Sequence, residues 1–366
     1  MDKMLAKTKN TRLVGLDLAR SLAIMGMVLV NFKVTMGAGE SGPEWLHFAV
    51  ALFDGRAAAL FVVLAGIGAS LASRRARESG DVDAKRVARI KLAKRAGFLF
   101  LVGWLFFPIW PADILHFYGV YLAIGAVLLF ASNRTLWIVA ISAMIVSLGL
   151  LVSLDPFENW NLTTLAYQGL FTFEGFFRNL FFDGFHPVLP WIAFYLFGMW
   201  LGRTNLADPA WRATLAIRAG LIVVVSEAIA FFALGPRGSD LSGLNEESAR
   251  FLFSTDPLPP FPLYLAAGAG TAVLIIVLAL WIGEKASSKL IEPLVSTGQL
   301  AMTIYVGHVV VGMGVLQTLG LLYDQSLIWV VVSSTIFNLL AILGAWIWRK
   351  RFARGPLEAV MHRLLD

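Results

Sequence analysis

Ten apolar blocks, most of them long enough to cross a bilayer as a helix, dominate this sequence. They run over residues 14–36, 48–72, 96–111, 114–131, 135–154, 187–202, 218–234, 261–283, 298–321 and 327–347. A helical span needs about 20 apolar residues to cross hydrocarbon about 30 Å thick. Hydrophobic residues make up 58% of the 366-residue chain, against roughly 45–50% in soluble domains. A water-soluble fold has nowhere to bury that surplus, whereas lipid solvates it. The predicted fold class is therefore all-α: a polytopic membrane protein of about ten transmembrane helices, organised as one domain over 1–366. The third and sixth blocks are short and predict little tilt or a break. The aromatic, amphipathic segment 155–186 predicts an interfacial or re-entrant helix. Residues 235–260, punctuated by Gly, Pro and Asn, predict an irregular loop. No span-to-span repeat is evident, which weighs against an inverted-repeat transporter.

Charge sets the expected orientation. Twenty-four of the 30 Lys and Arg residues fall on one side: Lys3, Lys7, Lys9 and Arg12, nine between Arg74 and Arg95, Arg134, Arg203, Arg212, Arg218, Lys285, Lys289, and five from Arg349 to Arg363. The other side has Lys33, Arg178, Arg237 and Arg250, and it is acidic, with Glu40, Glu44, Asp113, Asp155, Glu158, Glu174, Asp183, Asp240, Glu246, Glu247 and Asp256. The positive-inside rule then places both termini in the cytoplasm. It also explains the isoelectric point near 9.6 without a nucleic-acid partner. The basic start followed by a long apolar run with Asp17 and Arg20 reads as an uncleaved first span rather than a signal peptide. The chain has no cysteine, which excludes disulfides and thiolate metal sites.

Ionisable groups inside spans are costly unless paired, so each is a functional candidate. Asp17 and Arg20 share a helical face. They read either as an ion pair that fixes packing or as an Arg fork receiving an anionic group from the cytoplasm. Asp54 and Arg56 read as a structural network or as part of a substrate pocket. Glu227 lies in the seventh block. Of five histidines, His362 sits in the basic tail. His47, His116, His186 and His308 map to the outer half of the membrane or its boundary and suggest a shared polar cavity. None has HxxxH or HExxH spacing, so no metal is expected. The sequence also lacks a GxSxG elbow and a GxxxxGK[ST] phosphate loop. The large basic loop reads as a topology signal that contacts anionic lipid, or as a collector of a polyanionic donor.

Several stretches resemble a known group. RLVGLDLARSLAIMGMVLVNF resembles the first span of the YeiB-like proteins and of the heparan-α-glucosaminide N-acetyltransferase-like membrane enzymes, with Ser21 where a Gly is usual. FDGRAAALFVVLAGIGASL, ADILHFYGVYLAIG, FHPVLPWIAFYLFGMWLGR, STGQLAMTIYVGH and ARGPLEAVMHRL resemble later motifs of that group, in the expected order.

The resemblance implies an acyl group, acetyl foremost, passing from cytoplasmic acyl-CoA to a hydroxyl or amine of an extracytoplasmic sugar or other small acceptor. It implies His47 and Asn31 as catalytic residues, although the spacing between them is longer than in the heparan enzyme. Arg20, Arg95 and Asp17 would serve the CoA end. Asp54, Arg56, Asp113, His116, His186, Trp191 and His308 would line the substrate pocket, and Trp45, Trp160 and Trp191 would suit sugar faces. The expected partners are the lipid bilayer, acyl-CoA, the acceptor and a second copy in a homodimer, and the expected location is the bacterial inner membrane. The alternative is a transporter or channel for a small solute or lipid, with the same groups lining a path. A second alternative is a non-catalytic lipid-binding or assembly protein.

Overall fold

The computed structural model of the protein describes residues 13–38, 41–161, 164–235 and 246–365. Lys3, Lys7, Lys9, Arg12, Glu40, Arg237 and Asp240 lie outside the described residues. The described helices are α1 (Val14–Met36), α2 (Glu44–Ala51), α3 (Arg56–Ala72), α4 (Arg74–Ser79), α5 (Val82–Phe106), α6 (Leu115–Leu128), α7 (Asn133–Ser153), α8 (Phe173–Arg178), α9 (Val188–Leu201), α10 (Pro209–Leu234), α11 (Glu246–Phe253), α12 (Pro262–Lys285), α13 (Ser288–Gln299), α14 (Ala301–Gly307), α15 (Gly314–Thr318), α16 (Leu327–Arg349) and α17 (Pro356–Leu365). Two π-turns, Asn179–Asp183 and His308–Met313, follow α8 and α14.

Among the described residues, seven helical stretches are long and apolar enough to cross a bilayer: Val14–Met36, Glu44–Ala72, Asn133–Ser153, Pro209–Leu234, Pro262–Lys285, Ala301–Thr318 and Leu327–Arg349. An eighth arises if Phe173–Asp183 and Val188–Leu201, which meet at 47°, form one bent span. The two remaining apolar blocks, 96–111 and 114–131, are helical too, but they differ in kind. The first is the end of α5, whose earlier turns carry Lys85, Arg86, Arg89, Lys91, Lys94 and Arg95. The second is α6, which at 14 residues rises only about 21 Å.

The ends of these helices follow from local chemistry. Asp81, Ser132, Thr172, Asp208 and Ser326 each accept a hydrogen bond from a backbone N–H in the first turn that follows, the usual role of such residues at an N-cap. Within 155–186, Trp160–Asn161 pairs antiparallel with Ala166–Tyr167 before α8 begins. From there the chain bends by 47° into α9, the geometry of a broken span or of a re-entrant loop. In 235–260 the sequence reading missed α11. That helix buries Phe251 against Phe261, ring centroids 4.6 Å apart, beside a core of Leu151, Phe182 and Phe261. Periodicity is hard to read in a stretch this short.

The chain packs as two compact units, residues 1–43 with 275–358, and 44–274 with 359–366. In the first, α1 packs against α13, α14 and α16. In the second, α3 and α7 pack on α9, and α5 packs on α6. The α3–α9 seam depends on small residues. A Cβ at Gly198 would lie 2.1 Å from the Val63 carbonyl oxygen, and one at Gly66 would lie 2.0 Å from that of Tyr195. Ser70 Oγ donates to the Met199 carbonyl across the same seam at 2.6 Å. Backbones that approach this closely associate by packing and interhelical hydrogen bonds, since lipid provides no hydrophobic drive between helices.

Two outcomes are expected. Gly198→Val should lower the detergent-solubilised melting temperature, by overpacking of about 1–3 kcal/mol. With no native cysteine to remove, Arg89→Cys should react with an impermeant maleimide only from the cytoplasmic side, and Trp45→Cys only from the outer side. The reverse pattern would overturn the orientation inferred from charge.

Candidate functional site

In the first unit, the far end of α1 presents Asn31, whose Nδ2 lies 2.9 Å from His308 Nε2. His308 is fully buried and opens the π-turn that follows α14. Its Nδ1 bonds the Tyr305 carbonyl. A carbonyl only accepts, so Nδ1 carries the proton and the Nε2 lone pair faces Asn31, whose amide donates to it. Thr35 Oγ1 donates to the Asn31 carbonyl at 2.9 Å and reaches Met313 Sδ at 3.5 Å, so the end of α1 and the π-turn are tied at two levels. A π-turn inside a span frees carbonyls and re-aims side chains, which is why such turns gather at functional sites.

Two turns from the other end of that unit, Arg20 Nη1 donates to Asp17 Oδ1 at 2.7 Å. Gln299 Nε2 donates to Asp17 Oδ2 at 3.2 Å. Asp17 is 4% exposed, while the Arg20 side chain keeps 30% of its surface. The carboxylate is thus a buried anchor, and the guanidinium retains donors for another anion.

The second unit holds the other histidines. Asp113 and His116 are fully buried at the start of α6. Asp113 Oδ2 accepts from His116 Nδ1 at 3.1 Å and from its backbone N–H at 3.2 Å. A carboxylate only accepts, so His116 Nδ1 carries a proton, while its Nε2 is buried without a hydrogen-bond partner among the described residues. The His116 ring sits 3.9 Å from Phe117, which in turn lies 6.2 Å from His186. Trp191 meets His186 edge-on at 4.7 Å. His116, His186 and Trp191 therefore come together. His47 is half-buried on α2 between exposed Trp45 and Phe48.

The remaining candidates are held in ion pairs or lie along the basic helix. Arg56 Nη2 pairs with Glu227, whose Oε2 accepts from Thr255 Oγ1 at 3.0 Å. Asp54 lies in the turn between α2 and α3. Arg178 pairs with Glu158 at 2.8 Å and with Asp183 at 2.7 Å. Tyr167 donates to Asp183 at 2.8 Å, and burial holds its hydroxyl well above the usual phenol range. Arg95 is half-buried on α5. Between α5 and α6 runs an apolar groove of about 530 Å³, floored by Ala93, Ala96, Gly97, Gly119 and Ala123, with Arg89 as its charged member. Among the described residues, no cluster of three or more His, Asp or Glu is placed to hold a metal.

The sequence reading missed the bond between Asn31 and His308, because 277 positions separate them. It also passed over Glu358, Gln299 and Thr255 as polar partners. For Glu358 a signal was present, the tail motif GPLE.

A family model described as heparan-alpha-glucosaminide N-acetyltransferase, catalytic, matches residues 12–232. A second, described as a protein of unknown function (DUF418), matches residues 200–366. No curated protein and no solved structure matches the chain.

Replacing Asp113 by Ala should strip the acceptor from two buried donors, each costing about 1–3 kcal/mol when left unsatisfied. Thermal melts should show a clear loss for Asp113→Ala and a partial recovery for Asp113→Asn, which keeps one carbonyl acceptor. Equal melting of wild type and Asp113→Ala would show that the dyad is not a structural tie.

Proposed function

This chain belongs to the heparan-α-glucosaminide N-acetyltransferase-like family, and from that premise we propose that it moves an acyl group, acetyl foremost, from cytoplasmic acyl-CoA to a hydroxyl or amine of an extracytoplasmic acceptor such as a sugar. The observation that carries this reading is the Asn31–His308 pair. It is an imidazole with a fixed tautomer, its lone pair on an amide donor, buried at the end of the first span.

Acyl-CoA, when bound, supplies a thioester carbonyl and a thiolate leaving group. The protein's part is positioning and proton transfer. Arg20, anchored by Asp17, has donors left for phosphate. The acceptor's hydroxyl or amine replaces Asn31 on His308 Nε2 and gives up its proton there, as in general-base catalysis. The same proton then leaves with the thiolate, so the C–S bond breaks as the C–O or C–N bond forms. The released Asn31 amide becomes a donor for developing negative charge, the role polar side chains play in acyl transfer. His47 is the base that the family resemblance implies. His308 is the one that Asn31 holds, and on that ground we assign the role to His308.

Labelled acetyl-CoA offered to one side of sealed proteoliposomes, with sugars on the other, tests the assignment. His308→Ala should lower kcat by about 10²–10⁴, the usual contribution of a general base, and Asn31→Ala by a smaller factor. If His308→Ala transfers normally and His47→Ala is dead, the base is His47. Solute flux with no acylated product would favour a transporter instead.

A further inference from the structure

The tail motif GPLE has a place in the first unit that neither charge topology nor the proposed chemistry uses. The ninth apolar block is interrupted. Helix α13 ends at Gln299, Leu300 leaves helical geometry with φ −106° and ψ 26°, and α14 begins at Ala301. A restart leaves first-turn N–H groups without intrahelical partners. The residue in the cap position is leucine, and it makes no side-chain cap. In hydrocarbon such amides are costly to leave bare.

Glu358 supplies what Leu300 lacks. Its Oε1 accepts from Met302 N–H at 2.9 Å and from Thr303 N–H at 3.1 Å. Its Oε2 accepts from Thr303 Oγ1, and that oxygen in turn accepts from Leu357 N–H at 3.1 Å. The approach is tight. A Cβ at Gly355 would lie 2.2 Å from Glu358 Oε2 and 2.8 Å from both Leu300 Cγ and Thr303 Oγ1. The GPL residues therefore bring the tail close enough for the carboxylate to reach. The negative charge also faces the positive end of the helix, a favourable sign. From the other side Gln299 is held by Asp17. Less than two helical turns past the capped residues stands His308, with its Nδ1 on Tyr305 of the same helix.

We propose that Glu358 is a positioning residue for His308: the tail carboxylate acts as the N-cap of an intramembrane helix restart, and so fixes the rotation and depth of the imidazole that follows. The catalytic part of this statement rests on the acyltransferase reading, but the positioning part is independent of it.

The test therefore reads two quantities on the full-length protein in proteoliposomes. One is the rate at which diethyl pyrocarbonate modifies His308, followed by mass spectrometry. The other is acyl transfer from labelled acetyl-CoA. Glu358→Ala should raise the His308 modification rate about tenfold or more and lower kcat about 10- to 100-fold with little change in KM, as displaced catalytic groups do. Glu358→Gln, which keeps one acceptor oxygen, should fall between Glu358→Ala and wild type, and it serves if the alanine variant does not fold. Ser132→Ala removes a cap of ordinary kind from α7 and should move neither quantity. An unchanged His308 modification rate in the Glu358 variants, or an equal change in Ser132→Ala, would overturn the proposal. If wild type acylates nothing, while Glu358→Ala still exposes His308, positioning stands and the acyltransferase reading falls.

Discussion

A helix interrupted inside hydrocarbon leaves amide and carbonyl groups that lipid cannot hydrogen-bond, so each interruption must be closed by protein. This chain closes its interruptions with side chains of matching polarity. Where amides are left bare, at Met302 and Thr303, a carboxylate covers them. Where carbonyls are left bare, hydroxyl and indole donors cover them. Tyr121 donates to the His186 carbonyl, and Trp160 Nε1 donates to that of Asp183 at 2.6 Å, both at the bend before α9. The aromatic richness of the sequence thus has a second use beyond apolar bulk, because Tyr and Trp each bring one polar atom into an apolar setting.

The same interruptions carry the side chains with chemistry. His308 opens one π-turn, and Asn179 opens the other, ahead of His186. A regular span turns most side chains toward lipid or a neighbouring helix at a fixed 100° step, and it offers no freedom to aim one inward. A break gives that freedom, at the cost of bare backbone groups. Polar partners at the breaks and re-aimed side chains beside them are therefore two results of one constraint.

What was legible in the sequence follows from how far each signal reaches. The ten apolar blocks are local signals, and each falls on one or more helices. Two of them differ from the long spans: the block at 96–111 is the apolar end of a helix whose earlier turns carry six cations between Lys85 and Arg95, and α6 is short. Asp17 and Arg20 were legible because three positions on a helix share a face. Asn31 with His308, Arg56 with Glu227, and Thr303 with Glu358 are separated by 277, 171 and 55 positions. A pairing of that range leaves no periodic trace in one chain. The missed helix α11 is held by the contact of Phe251 with Phe261, again a tertiary effect rather than a local preference.

The two buried imidazoles now separate by their free ends. His116 is tied through Nδ1 to a carboxylate, and its Nε2 has no partner among the described residues. His308 is tied through Nδ1 to a carbonyl, and its Nε2 holds an amide. A carboxylate strengthens a base more than a carbonyl does, yet a base that must meet a substrate also needs a neighbour able to exchange its hydrogen bond. Asn31 is such a neighbour and His116 has none. The family matches sharpen this contrast. Asn31 falls within the stretch that matches the acetyltransferase family, 12–232, while His308 and Glu358 fall only within the stretch matched by the family of unknown function, 200–366. The bond between Asn31 and His308 therefore joins the two matches. That hydrogen bond therefore needs both matched stretches of the chain, because the amide lies in one and the imidazole in the other.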